Sequence, residues 1–460
     1  MCLKRLFTGV VFVQILCSTF WTWWLPEPAY GGETSVIKES AERERAESTE
    51  PLTLRGALSL AVMHNPKLQA FSAELRALDA DAFQAGLLPN PELGVEAENF
   101  GGSGDFSGTN AMETTVQLSQ LIELGGKRSR RKQVASAEQD LGKWDYEIEL
   151  SDILTEVAKS FAEVLGAQER LSQREELVKL AMQVLNTVEE RVKAGKVSPL
   201  EKNKARIALS TAKIDLERAR RDLEVSRTRL AATWGSKSPL FQNVEGDLFE
   251  IAPIPSSEEC ENQVCQNPNV SRWTSESAHR RAVAELASAN GTPDVTFVFG
   301  AKRHNFDDET ALVAGFSFPL PVFDRNQGEV LSAQHRLAKV KEEEKAARSS
   351  VFATLGERYE SLAGAYAEST ALKEDVLVVA KETFEAVREG YEFGKFGVLD
   401  VIDAQRTLFE VQERYIDALV VYHTALADVE RLTGAHLKRY QLGELRVLGK
   451  NRSELNGKGL

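Results

Sequence analysis

The chain is written twice. Asn65-Pro66 returns as Asn267-Pro268 and Pro91 as Pro293, both at an offset of 202, with Leu93 and Val95 answered by Val295 and Phe297. Further on the offset is 199: Leu121 corresponds to Leu320, Gly195 to Gly394, Leu200 to Leu399 and Gly235 to Gly434. The drop of three fits one loop that is shorter in the second copy. Internal repeats constrain architecture before any local signal does. Whatever one half folds into, the other half must also fold into.

Each half follows one grammar. A helix leads, over about 53–87 and again over about 258–289. Two segments with alternating polarity follow: GVEAEN and TVQLSQ in the first half, DVTFVFGAKR and ALVAGFSFPL in the second. Period-two runs joined by a loop read as hairpins, and about ten residues is also the span of a tilted membrane strand. A soluble hairpin is the alternative. Pro89, Pro91, Pro319 and Pro321 mark the joints between helix and strand, where neither hydrogen-bond ladder continues.

The rest of each half is helical. No proline occurs from Glu92 to Ser198 or after Pro321. Lys127 to Lys193 is a 67-residue run, roughly 100 Å long as a helix. Leu209, Ala212, Leu216, Ala219 and Leu223 then step by three and four, as do Leu408, Val411, Tyr415, Ala418 and Tyr422. This stagger is a coiled-coil seam. Turns centred on Gly195 and Gly394 fold each run back on itself as an antiparallel hairpin.

Composition narrows the function. A net charge of −13 is wrong for a nucleic-acid binder. Lys4 and Arg5 precede an apolar run from Leu6 to Leu25 and small residues near Ala29 to Gly32, the pattern of a secretory leader. The expected organisation is a leader over 1–31, a tail over 32–51, a first repeat over 52–235, a linker over 236–257, a second repeat over 258–434 and a tail over 435–460. Export exposes Cys260 and Cys265, in CENQVC, to an oxidising compartment. A local disulfide is one reading and two free thiols the other. No later segment carries the apolar run of about 20 residues that a membrane helix needs, so any span must be made of strands. Four strands in lipid leave open edges, and single-chain barrels start at about eight strands. Several copies would have to share one barrel.

The order of elements and the strings HNPKLQA, LLPNPEL, AENFGGSG, ETTVQLSQLIELGGKR and FGKFGVLDVIDAQ resemble the TolC-type outer membrane efflux family, in its heavy-metal branch. The resemblance covers nearly all of residues 50–435. It implies a mainly α fold: duplicated helical hairpins forming a coiled-coil tunnel, with four strands per chain in a shared 12-stranded transmembrane β-barrel of a homotrimer. It also implies an outer membrane duct with a long periplasmic extension, docked through a periplasmic adaptor onto an inner-membrane RND pump. Such ducts are passive and not enzymes.

In that family two aspartates after the second hairpin turn line the closed entrance, spaced as Gly394, Asp400 and Asp403 are here. The i,i+3 spacing puts both carboxylates on one helix face, and threefold symmetry would set six around one opening, an arrangement that favours cations. The first copy has Glu201 and Lys204 instead, so only the second hairpin offers a purely acidic face. An ordinary solvated face or an acid at a helix start is the competing reading. The resemblance further implies adaptor contacts at Gly195, Lys196 and Val197 and at Gly394, Lys395 and Phe396, with Tyr391 as a candidate latch. The latch position near Phe396 is often polar or basic in the family and is aromatic here.

Chemistry of other kinds finds no support. The six histidines include no i,i+4 pair and no HExxH, so no metal site or cofactor is expected. FGGSGDFSG lacks the third glycine and the lysine of a phosphate loop. The basic run Lys127–Lys132 suits lipid headgroups or a solvated helix start equally. Two readings compete with a metal-cation duct: the same duct for drugs or other organic solutes, and a periplasmic coiled-coil scaffold without a pore.

Overall fold

The computed structural model describes residues 51–434; the expected leader, most of the N-terminal tail and the C-terminal tail lie outside the described residues. Leu52–Pro239 with residues 243–434 forms one contact unit. In chain order it contains β1 (Leu52–Thr53), α1 (Leu54–His64), α2 (Pro66–Ala85), β2 (Glu92–Glu98), β3 (Glu113–Ile122), α3 (Lys127–Lys193) and α4 (Pro199–Ala232). There follow β4 (Val244–Glu245), α5 (Ser257–Gln263), α6 (Pro268–Asn290), β5 (Val295–His304), β6 (Glu309–Ser317), α7 (Gln327–Ala371), α8 (Leu377–Glu392) and α9 (Val398–Thr433). The sequence of leading helices, hairpin and long helical hairpin occurs twice.

The leading helices depart from expectation. Each is broken at its Asn-Pro, because proline pushes the residue before it out of the helical region. Asn65 closes α1 through its backbone N–H to Ala61 and opens α2 by accepting from the amides of Lys67 and Leu68. Its Nδ2 then donates to the carbonyl of Thr233, at 2.6 Å. Asn267 does the same in the second copy, accepting from the Asn269 amide at 2.7 Å and donating to the Leu432 carbonyl at 2.9 Å. The repeated Asn-Pro is therefore a clamp. It ties the start of each repeat to the end of the long helix that finishes it.

The four longer strands form one antiparallel sheet in the order β2-β3-β5-β6. Register separates two faces cleanly. Leu93 pairs with Leu118, Leu118 with Phe299, and Phe299 with Ala314 on one face; Glu96 pairs with Thr115 and Thr115 with Lys302 on the other. The apolar face is bare: Leu93 is 72% exposed, Phe299 64% and Leu312 78%. On the polar face Lys302 bridges Glu98 at 2.9 Å and Glu113 at 2.6 Å. A sheet of this kind, with its apolar face bare and its charges paired on the other, is the inverse of a soluble half-sandwich. Among the described residues no helix is long and apolar enough to cross a membrane.

Below the sheet α3 runs unbroken for 67 residues, as expected. Its counterpart does not: α7 and α8 are separated by a five-residue π-helical segment, Leu372–Val376. The inter-repeat linker braces the helices at that level. The hydroxyl of Tyr422 donates to the Ala252 carbonyl and accepts from the Ala252 amide, at 2.8 and 3.1 Å. Leu248 packs with Leu372, Ile416 and Leu419.

The basic run after β3 proves structural. Lys127 is buried and pairs with Asp294 at 2.8 Å, Arg131 pairs with Glu123, Arg130 with Glu285, and Arg128 donates to the Gly86 carbonyl. These cations lock the joint between strand and helix. Burial raises the Asp294 carboxyl, but Lys127 and the Leu124 amide outweigh it and hold the group below the usual aspartate range.

Of the two readings of CENQVC, the structure has the free thiols, and they face different surroundings. Cys260 is free and buried with Val264, Leu355, Leu362 and Tyr422, and burial, with Glu259 and Glu261, pushes its thiol up. Cys265 is free and exposed, its Sγ 3.3 Å from a guanidinium nitrogen of Arg348.

Candidate entrance at the hairpin tips

Both long hairpins turn by the same backbone device. Gly195 and Gly394 adopt φ of 67° and 76°, the left-handed region where a side chain is strained. Around Gly195, the Lys196 amide reaches the Arg191 carbonyl at 2.9 Å and the Gly195 amide the Val192 carbonyl at 3.0 Å. Around Gly394 the equivalent bonds join Lys395 to Gly390 at 2.8 Å and Gly394 to Tyr391 at 2.9 Å. Each is a Schellman closure, which satisfies helix-end carbonyls that would otherwise lack partners. Gly195, Lys196, Gly394, Lys395 and Phe396 are exposed, and Val197 is half-buried.

The returning helices start differently. Ser198 caps α4 by accepting from the Leu200 amide at 3.3 Å, with Pro199 in the first helical position. Gly397 has no side chain to do this at α9. Asp400 reaches back instead, its carboxylate accepting from the Gly397 amide at 2.8 Å. Asp400 is thus an acid at a helix start as well as a candidate pore group.

Asp403 is 68% exposed, and the expected purely acidic face is not what forms around it. Arg406, one turn on, pairs with Asp403 at 2.7 Å and approaches Glu410 at 3.6 Å. The sequence rule that put Asp400 and Asp403 on one face puts Arg406 on it too. Asp400 and Asp403 both line a groove of about 660 Å³ between α8 and α9, with Val379, Thr383, Phe396 and Thr407.

Tyr391 is buried at 4% exposure, and its partner is a residue that sequence reasoning missed. The Arg191 guanidinium lies 4.4 Å from the centre of the Tyr391 ring and donates to the Tyr391 carbonyl at 2.7 Å. Arg191 ends α3 of the first hairpin and Tyr391 ends α8 of the second, so this contact joins the two tips at one level. The Tyr391 hydroxyl is buried without a partner among the described residues. Gly390 is required beside it, since a Cβ there would fall 2.4 Å from the Phe396 ring. Among the described residues no group of three His, Cys, Asp or Glu is arranged to hold a metal ion.

The sequence profile of the outer membrane efflux protein family matches residues 57–236 and 261–435, once in each repeat. The cobalt-zinc-cadmium resistance protein CzcC of Cupriavidus metallidurans is 35% identical over 84% of this chain and 91% of its own. The nickel-cobalt-cadmium resistance protein NccC of Alcaligenes xylosoxydans xylosoxydans is 26% identical over 62% of this chain and 66% of its own. Among solved structures, a membrane protein from Pseudomonas aeruginosa superposes with a TM-score of 0.70 at 18% identity, covering 83% of this chain and 90% of that one.

Proposed function

Because the chain belongs to the outer membrane efflux protein family, we propose that it is the outer membrane exit duct of a tripartite export system whose cargo is heavy-metal cations. The observation that carries the duct is the sheet. It bares one apolar face, gathers its charge on the other and, among the described residues, is open at both edges, β2 and β6. Unpaired edges are too costly in lipid. Alternation through the sheet makes β6 of one copy antiparallel to β2 of the next, so the edges are complementary. Three copies close a 12-stranded barrel, and the helical hairpins continue it as a tunnel across the periplasm. The leader over 1–31 delivers the chain there, and residues 52–235 and 258–434 act as the two repeats of each subunit.

The metal cargo rests on the relatives, three of which carry metal resistance in their names. The duct moves solute passively. Gly195, Lys196, Val197, Gly394, Lys395 and Phe396 form the adaptor-docking tips, through which a periplasmic adaptor joins an inner-membrane RND pump. Asp400 and Asp403 give the entrance its preference for cations, tempered by Arg406, and the Arg191–Tyr391 contact holds the tips in register.

The test is complementation. Cells lacking the duct but keeping its adaptor and pump should lose tolerance to cobalt, zinc or cadmium salts and recover it with this chain. Recovery of drug tolerance alone would point to the organic-solute duct. A chain that fractionates as a water-soluble protein would point to the scaffold.

A further inference from the structure

Two surfaces near the tips lack partners among the described residues, and they match. The first is on α4. Its seam residues Ala205, Leu209 and Ala212 pack inward, the last two with Ala181 of α3. Its opposite side carries Leu200, Ile207 and Ile214, exposed at 59, 67 and 69% and spaced by seven. An apolar heptad on the free side of a coiled-coil helix is the mark of a second seam. The other surface is the groove between α8 and α9, where Val379 is 60% exposed and Phe396 45%.

The surfaces lie at the same height. With about 1.5 Å of rise per residue, Leu200, Ile207 and Ile214 stand roughly 1, 12 and 22 Å above the start of α4. By the same measure Val387, Thr383 and Val379 stand roughly 7, 13 and 19 Å above the end of α8. The Arg191–Tyr391 contact sets both tips to one level. Copies related by pure rotation meet only through surfaces at equal height. Charge agrees as well. Between the stripe residues Leu200 and Ile207 stands Lys204, half-buried; among the described residues the charged lining of the groove is Asp375, Asp400 and Asp403, the last of them paired with Arg406 beside the groove.

Resting on the ring assembly proposed above, we infer that the α4 stripe of each copy seats in the α8–α9 groove of the next, with Lys204 against Asp403. Those two residues are equivalents in the repeat, 199 apart, so each subunit joint pairs the two versions of one position. The entrance acids then have two cationic neighbours, Arg406 from their own chain and Lys204 from the adjoining copy. The tip site is complete only in the ring.

The test uses the full chain in detergent with all four cysteines, Cys2, Cys17, Cys260 and Cys265, replaced by Ser as background. Ile207→Cys combined with Thr383→Cys should give a covalently linked trimer on a non-reducing gel, and each single variant should run as monomer. Lys204→Asp should cut trimer yield about tenfold through like-charge contact, and Lys204→Asp with Asp403→Lys should restore it. A trimer in light scattering without cross-links or charge rescue overturns the groove assignment and leaves the ring intact. A monomer in light scattering overturns the ring reading, and the inference with it. In whole cells, cross-linking of Ile207→Cys to the adaptor in place of a second copy also overturns it.

Discussion

The two hairpins share a backbone and differ in what their side chains do with it. Both turn through a glycine at positive φ with the same pair of closing hydrogen bonds. Yet α3 is continuous over 67 residues, while its counterpart is divided by a π-helical segment. The first return helix starts on Ser198-Pro199; the second starts on a glycine capped by the acid that follows. Where the first copy has Glu201 and Lys204, the second has Asp400 and Asp403. Duplication preserved what the turn needs and released what it does not. The first hairpin keeps the longer unbroken helix. The second, interrupted by a π-helix of the kind often found at functional sites, carries the groove, the acids and the buried tyrosine.

The most disruptive way to probe this comparison is at the clamps the copies hold in common. Asn65→Ala and Asn267→Ala each remove a helix cap and strand a carbonyl, a cost of about 2–4 kcal/mol. Both should lower the thermal midpoint of the detergent-solubilised protein, by similar amounts. A large effect at one and none at the other would show that the repeats do not share the clamp.

A difference between the copies is tested next at the strand–helix joint. Lys127 and Asp294 bind the start of the first long helix to the strand of the second repeat, and Asp294→Asn should cost about 2 kcal/mol. The Asp294 carboxyl is held below its ordinary value. Its contribution is therefore present above the unfolded aspartate value near pH 4 and is lost as pH falls through the folded value. Melting from pH 7 to pH 3 should show wild type and Asp294→Asn converging at the acid end. Parallel curves would remove the ion pair from the account.

Smaller effects belong to the tips. Arg191→Ala loses a cation–π contact and a hydrogen bond to the Tyr391 carbonyl, about 1–2 kcal/mol together. It should speed amide exchange around Gly394 more than around Gly195, because the buried Tyr391 sits on the second hairpin. Equal acceleration at both turns would contradict the division of labour. Arg406→Gln, on an exposed pair worth about 1 kcal/mol or less, should leave stability unchanged and raise cation preference. A fall in cation preference would mean that Arg406 does not temper the acids.

Much of this architecture was legible before any coordinates. The proline-free runs define α3 and the span of α7 to α8. Gly195 and Gly394 mark the turns because left-handed backbone is costly for other residues, and period two marks the strands. The partners were not legible. Arg191 reaches Tyr391 across 200 residues, and Asn65 reaches Thr233 across 168; no local pattern encodes such contacts. The Asn-Pro breaks could have been found, since proline restricts the residue before it. Arg406 could also have been found, since the i,i+3 rule applied to Asp400 and Asp403 reaches it next. The π segment has no proline or glycine to announce it. The free thiols follow from Cys260 turning into the core, which spacing alone does not show.

The central claim is that copies of this chain form a cation-preferring duct whose selectivity comes from the second hairpin. It is tested most directly by the reversal potential of the purified protein in planar bilayers across a KCl gradient, beside Asp400→Ala/Asp403→Ala and Glu201→Ala/Lys204→Ala. Cation-selective current in wild type, strongly reduced selectivity in the first double variant and a smaller change in the second are the predicted result. Selectivity that survives loss of both aspartates, or that depends on the first hairpin instead, would contradict it.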